Sequence, residues 1–152
     1  MLLSVIIPCF NEELVIREAH KRMVGVLGGL PDLDYELIYV DDGSRDQTPQ
    51  ILGELQREHR RARVIRLSRN FGHQMAVTAG LENASGDAVV VIDADLQDPP
   101  EVIGEMVERW RAGFHVAYGL RIERSGETRF KLWTAKTFYR LINHLSETEI
   151  PV

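Results

Sequence analysis

The sequence predicts an α/β fold with a mostly parallel central sheet and helices on both faces. Short runs rich in β-branched residues alternate with longer amphipathic segments, a pattern typical of βαβ units. Several of these runs end abruptly in polar residues, and residues 89–92 followed by Asp93 are the clearest case. Because right-handed crossovers place the carboxyl ends of parallel strands on one edge, we expect these polar residues to surround one cleft.

The individual elements are predicted from hydrophobic periodicity and from the glycines and prolines that end helices. The predicted strands are residues 2–8, 35–40, 63–67, 87–92 and 115–119. The predicted helices are residues 12–27, a helix beginning at Thr48-Pro49, and residues 74–84, 99–111 and 128–145. We expect Thr48 and Asp98 to cap the helices that follow them, and residues 1–152 to form a single domain.

Size and composition exclude several classes of protein. A chain of 152 residues is long enough for one domain with a buried core. Its net charge of −5 argues against a nucleic-acid binder, because no overall positive field attracts a phosphate backbone. The single cysteine, Cys9, cannot form an internal disulfide, which favours a reducing compartment. No apolar stretch approaches the roughly 20 residues of a membrane-spanning helix.

Asp93 and Asp95 directly follow the predicted strand 87–92. Aspartates are common in turns and caps, but Asp98 before Pro99 already meets the need for a helix cap. Carboxylates are hard oxygen ligands that suit Mg²⁺ or Mn²⁺, and substrate phosphates can complete the coordination. The pair therefore predicts a site for a metal-bridged nucleoside diphosphate.

Asp41 and Asp42 follow the predicted strand 35–40. A strand-to-helix turn explains Gly43 and Thr48, but it does not explain two adjacent acids that repel each other. A carboxylate can accept a hydrogen bond from a nucleobase or a ribose hydroxyl. We therefore expect at least one of the two acids to contact a nucleoside.

Other polar residues at predicted strand ends each have two interpretations. Asn11 either caps a helix or contacts a ligand, whereas Glu12 fits the ligand-binding layer better. Arg69 either binds a phosphate or carbonyl group or is a solvent-exposed or ion-paired side chain. Arg121 either contacts a pyrophosphate or belongs to a solvated basic stretch, and His73 is interpreted first as a loop or cap histidine.

The last predicted helix lies in an amphipathic segment, residues 128–146, that mixes basic and aromatic side chains. These side chains include Arg129, Phe130, Lys131, Trp133, Lys136, Phe138 and Arg140. Such a helix either binds an anionic membrane surface or packs against the sheet.

Three spaced motifs resemble the family-2 glycosyltransferases. They are SVIIPxxNE at residues 4–12, VDDGSxDxT at residues 40–48 and DADLQxPPE at residues 93–101. The similarity is greatest to the polyprenyl-phosphate sugar synthases of that family, such as dolichyl-phosphate mannose synthase. The string LSRNFGHQ at residues 67–74 is most similar to the bactoprenol glucosyltransferase branch.

The resemblance implies a Rossmann-like nucleotide-sugar-binding fold of the GT-A type, a Mg²⁺ or Mn²⁺ cofactor, and inverting transfer of a hexose to a lipid phosphate. Asp93 and Asp95 would be the catalytic DxD pair, with Asp95 nearest the metal, and Gln97 would lie close to the sugar or the acceptor phosphate. The expected substrate-binding residues include those considered above. The full set is Pro8, Phe10, Asn11, Glu12, Val40, Asp41, Asp42, Arg69, Ala94 and Arg121.

The branch resemblance favours UDP-glucose as donor, with GDP-mannose or a UDP-linked aminoarabinose derivative as alternatives. It also implies a polyprenyl phosphate acceptor and a location at the cytoplasmic face of a membrane. Members of the family continue past Val152 into acceptor-site residues and often into membrane-spanning helices. We therefore expect this chain to be the donor-binding part of a longer enzyme, either active or a non-catalytic nucleotide-sugar-binding module.

Other nucleotide-related and signalling folds fit the sequence less well. A phosphoacceptor receiver needs adjacent acids after its first strand, whereas here the acids follow the second and fourth predicted strands. A dinucleotide oxidoreductase needs G-x-G-x-x-G after its first strand, and a Walker-type loop needs G-x-x-x-x-G-K-[ST]. Neither motif occurs in the sequence.

Overall fold

The structure is a computed structural model that describes residues 1–119, and residues 1–118 of this range form one compact unit. Strands and helices alternate along the chain. The strands are β1 (Leu2–Cys9), β2 (Asp34–Asp41), β3 (Ala62–Arg66) and β4 (Ala88–Val91). The helices are α1 (Ile16–Gly28), α2 (Thr48–Glu58), α3 (His73–Glu82) and α4 (Val102–Arg111).

The four strands form one sheet in the order β3-β2-β1-β4, and every pairing is parallel. The chain moves outward from β1 to β2 and β3, and then returns past β1 to place β4 on its other side. The strand order therefore reverses between β1 and β4. In open α/β sheets, the crevice outside the carboxyl ends of the strands at such a point is where ligands bind.

One face of the sheet carries the larger core. Every second residue of β1, from Leu3 to Cys9, is buried against α1, α2 and α4. Helix α1 contributes a stripe at helical spacing, with Ile16, Ala19, Met23 and Leu27 buried, which is the amphipathic pattern expected of a helix on a sheet.

The other face carries α3, which makes the return crossing from β3 to β4. Here Ile6, Ile38 and Val40 pack against Ala76 of α3. Gly80 brings α3 close to the sheet, because a Cβ atom at this position would collide with the side chain of Ile6. The prediction of a parallel sheet with helices on both faces is therefore confirmed.

Strand β4 is less buried than its composition suggests. A continuous apolar run is typical of a parallel strand buried on both faces, but Val89 is 39% and Val91 is 43% exposed. The physical reason is that α3 packs over β1 and β2, while β4 is an edge strand of the described sheet. Apolar composition alone does not show whether a helix covers the second face.

Other local predictions are wrong as well. Residues 115–119 form no strand, since within the described range they pair with no other strand, and Val116 is 77% exposed. Helix α4 begins at Val102 rather than at Pro99, with Glu101 rather than Asp98 as its cap residue. Thr48 is the first residue of α2 and does not cap it, because its hydroxyl accepts the N–H of Glu12.

The predicted helix 128–145 and the single domain over residues 1–152 extend outside the described residues. Within residues 1–119, no helix has the length and hydrophobicity that crossing a membrane requires.

Candidate functional site

A cleft of about 270 Å³ opens at the carboxyl edge of the sheet, where the strand order reverses between β1 and β4. The segments after β1 and β4 form one side, and the loop from β3 to α3 forms the other. The lining residues are Pro8, Cys9, Phe10, Glu12, Asp42, Asn70, Gly72, His73, Ala76, Asp93, Ala94 and Asp95.

The cleft gathers many of the residues that the sequence predicts for the site. Those present in its lining are Pro8, Phe10, Glu12, Asp42, Asp93, Ala94 and Asp95. Those absent from its lining are Asn11, Val40, Asp41, Arg69 and Gln97. Arg121 lies outside the described residues.

The acidic pair sits on a tight turn that leaves β4. The Oδ1 atom of Asp95 accepts the backbone N–H of Gln97 at 2.9 Å, a local bond that fixes the Asp95 carboxylate. Leu96 between them has a φ of +60°, an unusual conformation for a branched side chain that costs about 1–2 kcal/mol. Strain of this kind persists where the surrounding structure holds it, and it concentrates at functional sites.

Glu12 faces the acidic pair from the end of β1. Burial raises the pKa of Glu12, and the negative charges of Asp95, Asp46 and Asp93 raise this pKa further. Burial likewise raises the pKa of the Cys9 thiol well above its usual value, and the negative charges of Glu12, Asp41 and Asp93 raise it further. The cleft is therefore a region of negative potential that favours a bound cation.

Asp42 lines the cleft but already holds part of its wall. Its Oδ1 accepts the backbone N–H of Phe71 at 2.8 Å, and its Oδ2 accepts that of Gly72 at 2.9 Å. The carboxylate is almost fully buried. Gly43 allows the loop after β2 to approach the loop after β3 closely. Its φ is +72°, and a Cβ atom there would lie 2.5 Å from the backbone carbonyl carbon of Arg69.

Asp41 is buried beneath the cleft and has structural partners. Its Oδ1 accepts the N–H of Ser44 at 2.9 Å. Its Oδ2 lies 3.3 Å from Nε of Arg66, an ion-pair contact without hydrogen-bond geometry. The two adjacent acids are thus stabilised by separate partners, and the repulsion between them does not by itself require a ligand.

Asn11 joins the segment after β1 to the loop after β2. Its backbone N–H donates to Oγ of Ser44 at 3.0 Å, and its Oδ1 accepts the N–H of Arg45 at 2.8 Å. It adopts a φ of +58°, which asparagine tolerates better than most residues. It does not cap α1, whose cap residue is Val15.

The loop between β3 and α3 supplies the wall that sequence reasoning identified least well. Arg69 stacks over the ring of Phe71, 4.8 Å from its centroid, and is not in the cleft lining. The residues of this wall are Asn70, Gly72 and His73, joined by Ala76 of α3. Their position after a predicted strand was the available signal, but the sequence did not show which side chains enter the cleft.

The acidic pair fits a divalent cation that a ligand helps to coordinate. Within residues 1–119, no three His, Cys, Asp or Glu side chains are grouped closely enough to hold a metal by themselves. Mg²⁺ is usually bound through one or two carboxylates, with phosphate oxygens and water completing its shell. Asp93 and Asp95 supply such carboxylates at the end of β4.

Comparison with known proteins gives the family of the chain. The sequence profile of the family described as Glycosyl transferase family 2 matches residues 4–152. The chain belongs to glycosyl transferase family 2. This membership confirms the resemblance found in the sequence motifs, and the parallel sheet with its cleft is a GT-A fold.

Two curated relatives of this family-2 chain match almost its whole length. It is 49% identical over 149 residues to an uncharacterized glycosyltransferase, YkcC, of Bacillus subtilis, covering 98% of the chain and 46% of that protein. It is 40% identical over 150 residues to the bactoprenol glucosyl transferase of Shigella phage SfV, covering 99% of the chain and 48% of that protein. The chain thus spans about half the length of the curated relatives it matches.

A solved structure shows a similar fold with ligands. It is the glucosyl-3-phosphoglycerate synthase of Mycobacterium tuberculosis in complex with Mn²⁺, UDP and phosphoglyceric acid. The TM-score is 0.57 at 31% identity, over 72% of this chain and 38% of that one.

Proposed function

We propose that this chain is the donor-binding part of a hexosyltransferase that acts on a nucleotide sugar and a polyprenyl phosphate. The observation that carries the proposal is the acidic cleft at the reversal of strand order, with Asp93 and Asp95 on its rim. Family membership and the named bactoprenol glucosyl transferase relative support the reaction class. UDP-glucose is the favoured donor and GDP-mannose the alternative.

In this proposal, different residues of the cleft bind different parts of the donor. Pro8, Phe10 and Glu12 line the end nearest β1 and bind the nucleoside, with Asp42 at the opposite wall. Asp93 and Asp95 hold Mg²⁺ or Mn²⁺, which would neutralise charge on the diphosphate. Ala94, between them, lets the donor approach the backbone of the turn. Gln97 and Arg121 are proposed to lie near the sugar and pyrophosphate.

The reaction is a displacement at the anomeric carbon. An oxygen of the lipid phosphate forms a bond to C1 of the hexose, and the bond from C1 to the β-phosphate oxygen breaks. The electron pair of that bond leaves with the nucleoside diphosphate, and the configuration at C1 inverts. The acceptor is already anionic, so the cleft needs no strong general base. Positioning and charge stabilisation are therefore the contributions expected from the protein.

A membrane surface is the proposed location of the acceptor. The basic and aromatic residues between 124 and 144 are typical of a segment that binds anionic lipid. The enzyme of which this chain is a part would then act at the cytoplasmic face of the membrane, where its nucleotide-sugar donor is available.

A second candidate function is a nucleotide-sugar-binding module without catalysis. The observation in its favour is that the chain covers less than half of its curated relatives. This candidate shares the donor site but predicts no product.

The test combines binding and transfer. Thermal unfolding of the chain is followed with UDP, GDP, UDP-glucose and GDP-mannose, each with Mn²⁺ and with EDTA. A ligand at 100 times its Kd should stabilise the fold by about 2.7 kcal/mol, with Mn²⁺ but not with EDTA. Radiolabelled donor is then incubated with polyprenyl phosphate in anionic vesicles. Labelled lipid indicates the transferase, vesicle binding without product indicates the module, and no Mn²⁺-dependent shift contradicts both.

A further inference from the structure

His73 is the first residue of α3 and projects into the cleft from the wall opposite β4. Its Nδ1 lies 3.8 Å from Oδ1 of Asp93, across the mouth of the cleft. The side chain is 59% exposed and Asp93 is 50% exposed, so both face the space that a ligand would enter.

The ordinary structural roles of a histidine do not account for this position. His73 is too exposed to be a core residue, and it does not cap α3, whose cap residue is Gly72. Its contact within residues 1–119 is the approach of Nδ1 to Asp93 at ion-pair distance, and 3.8 Å is too long for a hydrogen bond. The exposed ring therefore still has hydrogen-bonding capacity for a ligand in the cleft.

The backbone immediately before His73 is anchored from another strand. The carboxylate of Asp42, at the end of β2, accepts the N–H groups of Phe71 and Gly72. Because Asp42 is only 3% exposed, this anchor is protected from competing water. Its buried carboxylate holds the start of α3, and hence His73, against the cleft.

The charges of the cleft indicate what His73 can contribute to ligand binding. Four carboxylates line the cleft, from Glu12, Asp42, Asp93 and Asp95. Among the described lining residues, His73 is the one whose side chain can carry a positive charge. A phosphate group entering an acidic cleft needs donors on the side away from the metal, and an imidazole N–H can donate to a phosphate oxygen whether the ring is neutral or charged.

We propose that His73 binds a phosphate oxygen of the substrate, on the wall of the cleft facing Asp93 and Asp95. This inference rests on the proposed function, because it places the phosphate in the same donor site. The phosphate belongs either to the donor diphosphate or to the lipid acceptor, and the two sources give different results in one experiment. His73 acts by direct contact, and Asp42 is its positioning residue.

The experiment is calorimetric titration of the 152-residue chain with Mn²⁺ present. The ligands are UDP and GDP, each compared with its phosphate-free nucleoside, uridine or guanosine, in a separate titration. A short-chain polyprenyl phosphate is also titrated into the UDP-bound protein. Wild type is compared with His73→Ala, with His73→Gln, which keeps an N–H donor, and with His115→Ala, an exposed histidine outside the cleft lining. Loss of one such hydrogen bond should weaken binding by about tenfold or more.

The expected result is a loss of nucleoside diphosphate affinity in His73→Ala with unchanged nucleoside affinity, partial recovery in His73→Gln, and no change in His115→Ala. A loss confined to polyprenyl phosphate also supports the proposal and assigns the acceptor phosphate. Equal losses for nucleoside and diphosphate, or no loss for any phosphate, overturn it. If wild type binds neither UDP nor GDP, the proposed function fails as well. If wild type binds them and His73→Ala matches it for every phosphate ligand, polyprenyl phosphate included, only this inference fails.

Discussion

Asp42 is the residue whose role in the structure differs most from a simple ligand contact. The carboxylate joins the end of β2 to the backbone of Phe71 and Gly72, which are far along the chain. A residue that both lines the cleft and holds its wall couples the shape of the site to the stability of the fold. A donor that contacts Asp42 must share a carboxylate already engaged with two N–H groups.

Replacement of Asp42 by asparagine should reveal this anchoring role. The amide keeps only one acceptor oxygen, so its NH₂ group would face one of the two backbone N–H donors. We expect the free energy of unfolding to fall by about 1–3 kcal/mol, the usual effect of a buried donor left unsatisfied. Urea denaturation measures the change, and amide hydrogen exchange should become faster at Phe71 and Gly72.

The matched control is Asp87→Asn. Asp87 is exposed and accepts one backbone N–H, that of Leu2, which the asparagine oxygen can still accept. This variant should change stability by less than about 0.5 kcal/mol, as is usual for surface substitutions. Unchanged exchange at Phe71 and Gly72 in Asp42→Asn would contradict the anchoring role.

The acidic residues at the strand ends are evident from the sequence, but their hydrogen-bond partners are not. Asp41 and Asp42 are adjacent, yet one is bonded to Ser44 and the other to a loop 29 residues away. Such contacts depend on how elements assemble, and local residue patterns carry no information about them. His73 shows the same limit, because its exposure to the cleft follows from where α3 begins.

At the level of elements, rings from α1, from the end of α2 and from β2 form a cluster of two histidines and two tyrosines. The Nδ1 atom of His20 lies 2.8 Å from the hydroxyl oxygen of the fully buried Tyr39. His20 and His59 meet edge to face, with centroids 5.3 Å apart, and Tyr35 lies next to His59. A protonated ring here would lose solvation and face a second ring of the same charge.

These surroundings make the stability of the fold depend on pH. Burial lowers the pKa of His20, the positive charge of His59 lowers this pKa further, and the negative charge of Glu58 partly opposes both effects. Burial also lowers the pKa of His59, and the positive charge of Arg61 adds to this effect. The unfolded chain therefore binds more protons than the fold below the ordinary histidine pKa of about 6.5. We expect the urea midpoint to fall as the pH decreases from 7 to 5.

The double variant His20→Gln, His59→Gln isolates this contribution. Glutamine keeps a hydrogen-bonding group near Tyr39 and does not titrate. Glu12 has a raised pKa, so its own contribution to stability increases as the pH falls. Because Glu12 is present in both proteins, its contribution cancels in the difference in unfolding free energy between wild type and the variant. A pH profile equally steep in both proteins would show that the histidine cluster is not responsible.

Element boundaries show where periodicity succeeds and where it fails. Periodicity located α1 by its buried stripe but placed its start at Glu12 instead of Ile16. The N–H groups of Glu12 and Glu13 donate to Thr48, the first residue of α2, and to Asp46 of the loop before it. Residues 13–15 form a turn before α1 begins. The predicted strand 115–119 is not formed, because a strand needs a hydrogen-bonded partner and residues 1–119 provide none for it.

At the scale of the whole molecule, the reversal of strand order explains why the site lies where it does. The segments after β1 and β4 meet there because these strands are neighbours in the sheet. Glu12 comes from one segment and the Asp93 and Asp95 pair from the other. Strand order was not readable from the sequence, but the concentration of acids at strand ends was, and the fold brings them to one cleft.

The most direct test of the account is calorimetric titration of UDP and GDP with Mn²⁺, comparing wild type, Asp95→Asn and the control Asp87→Asn at the other end of β4. Loss of a metal-binding carboxylate should weaken Mn²⁺-dependent binding by at least about tenfold, given that even outer-shell changes cost 10–100-fold. The control should match wild type, and EDTA should bring wild type down to the level of Asp95→Asn. Equal affinity of wild type and Asp95→Asn with Mn²⁺ would contradict a metal-bridged donor at this cleft.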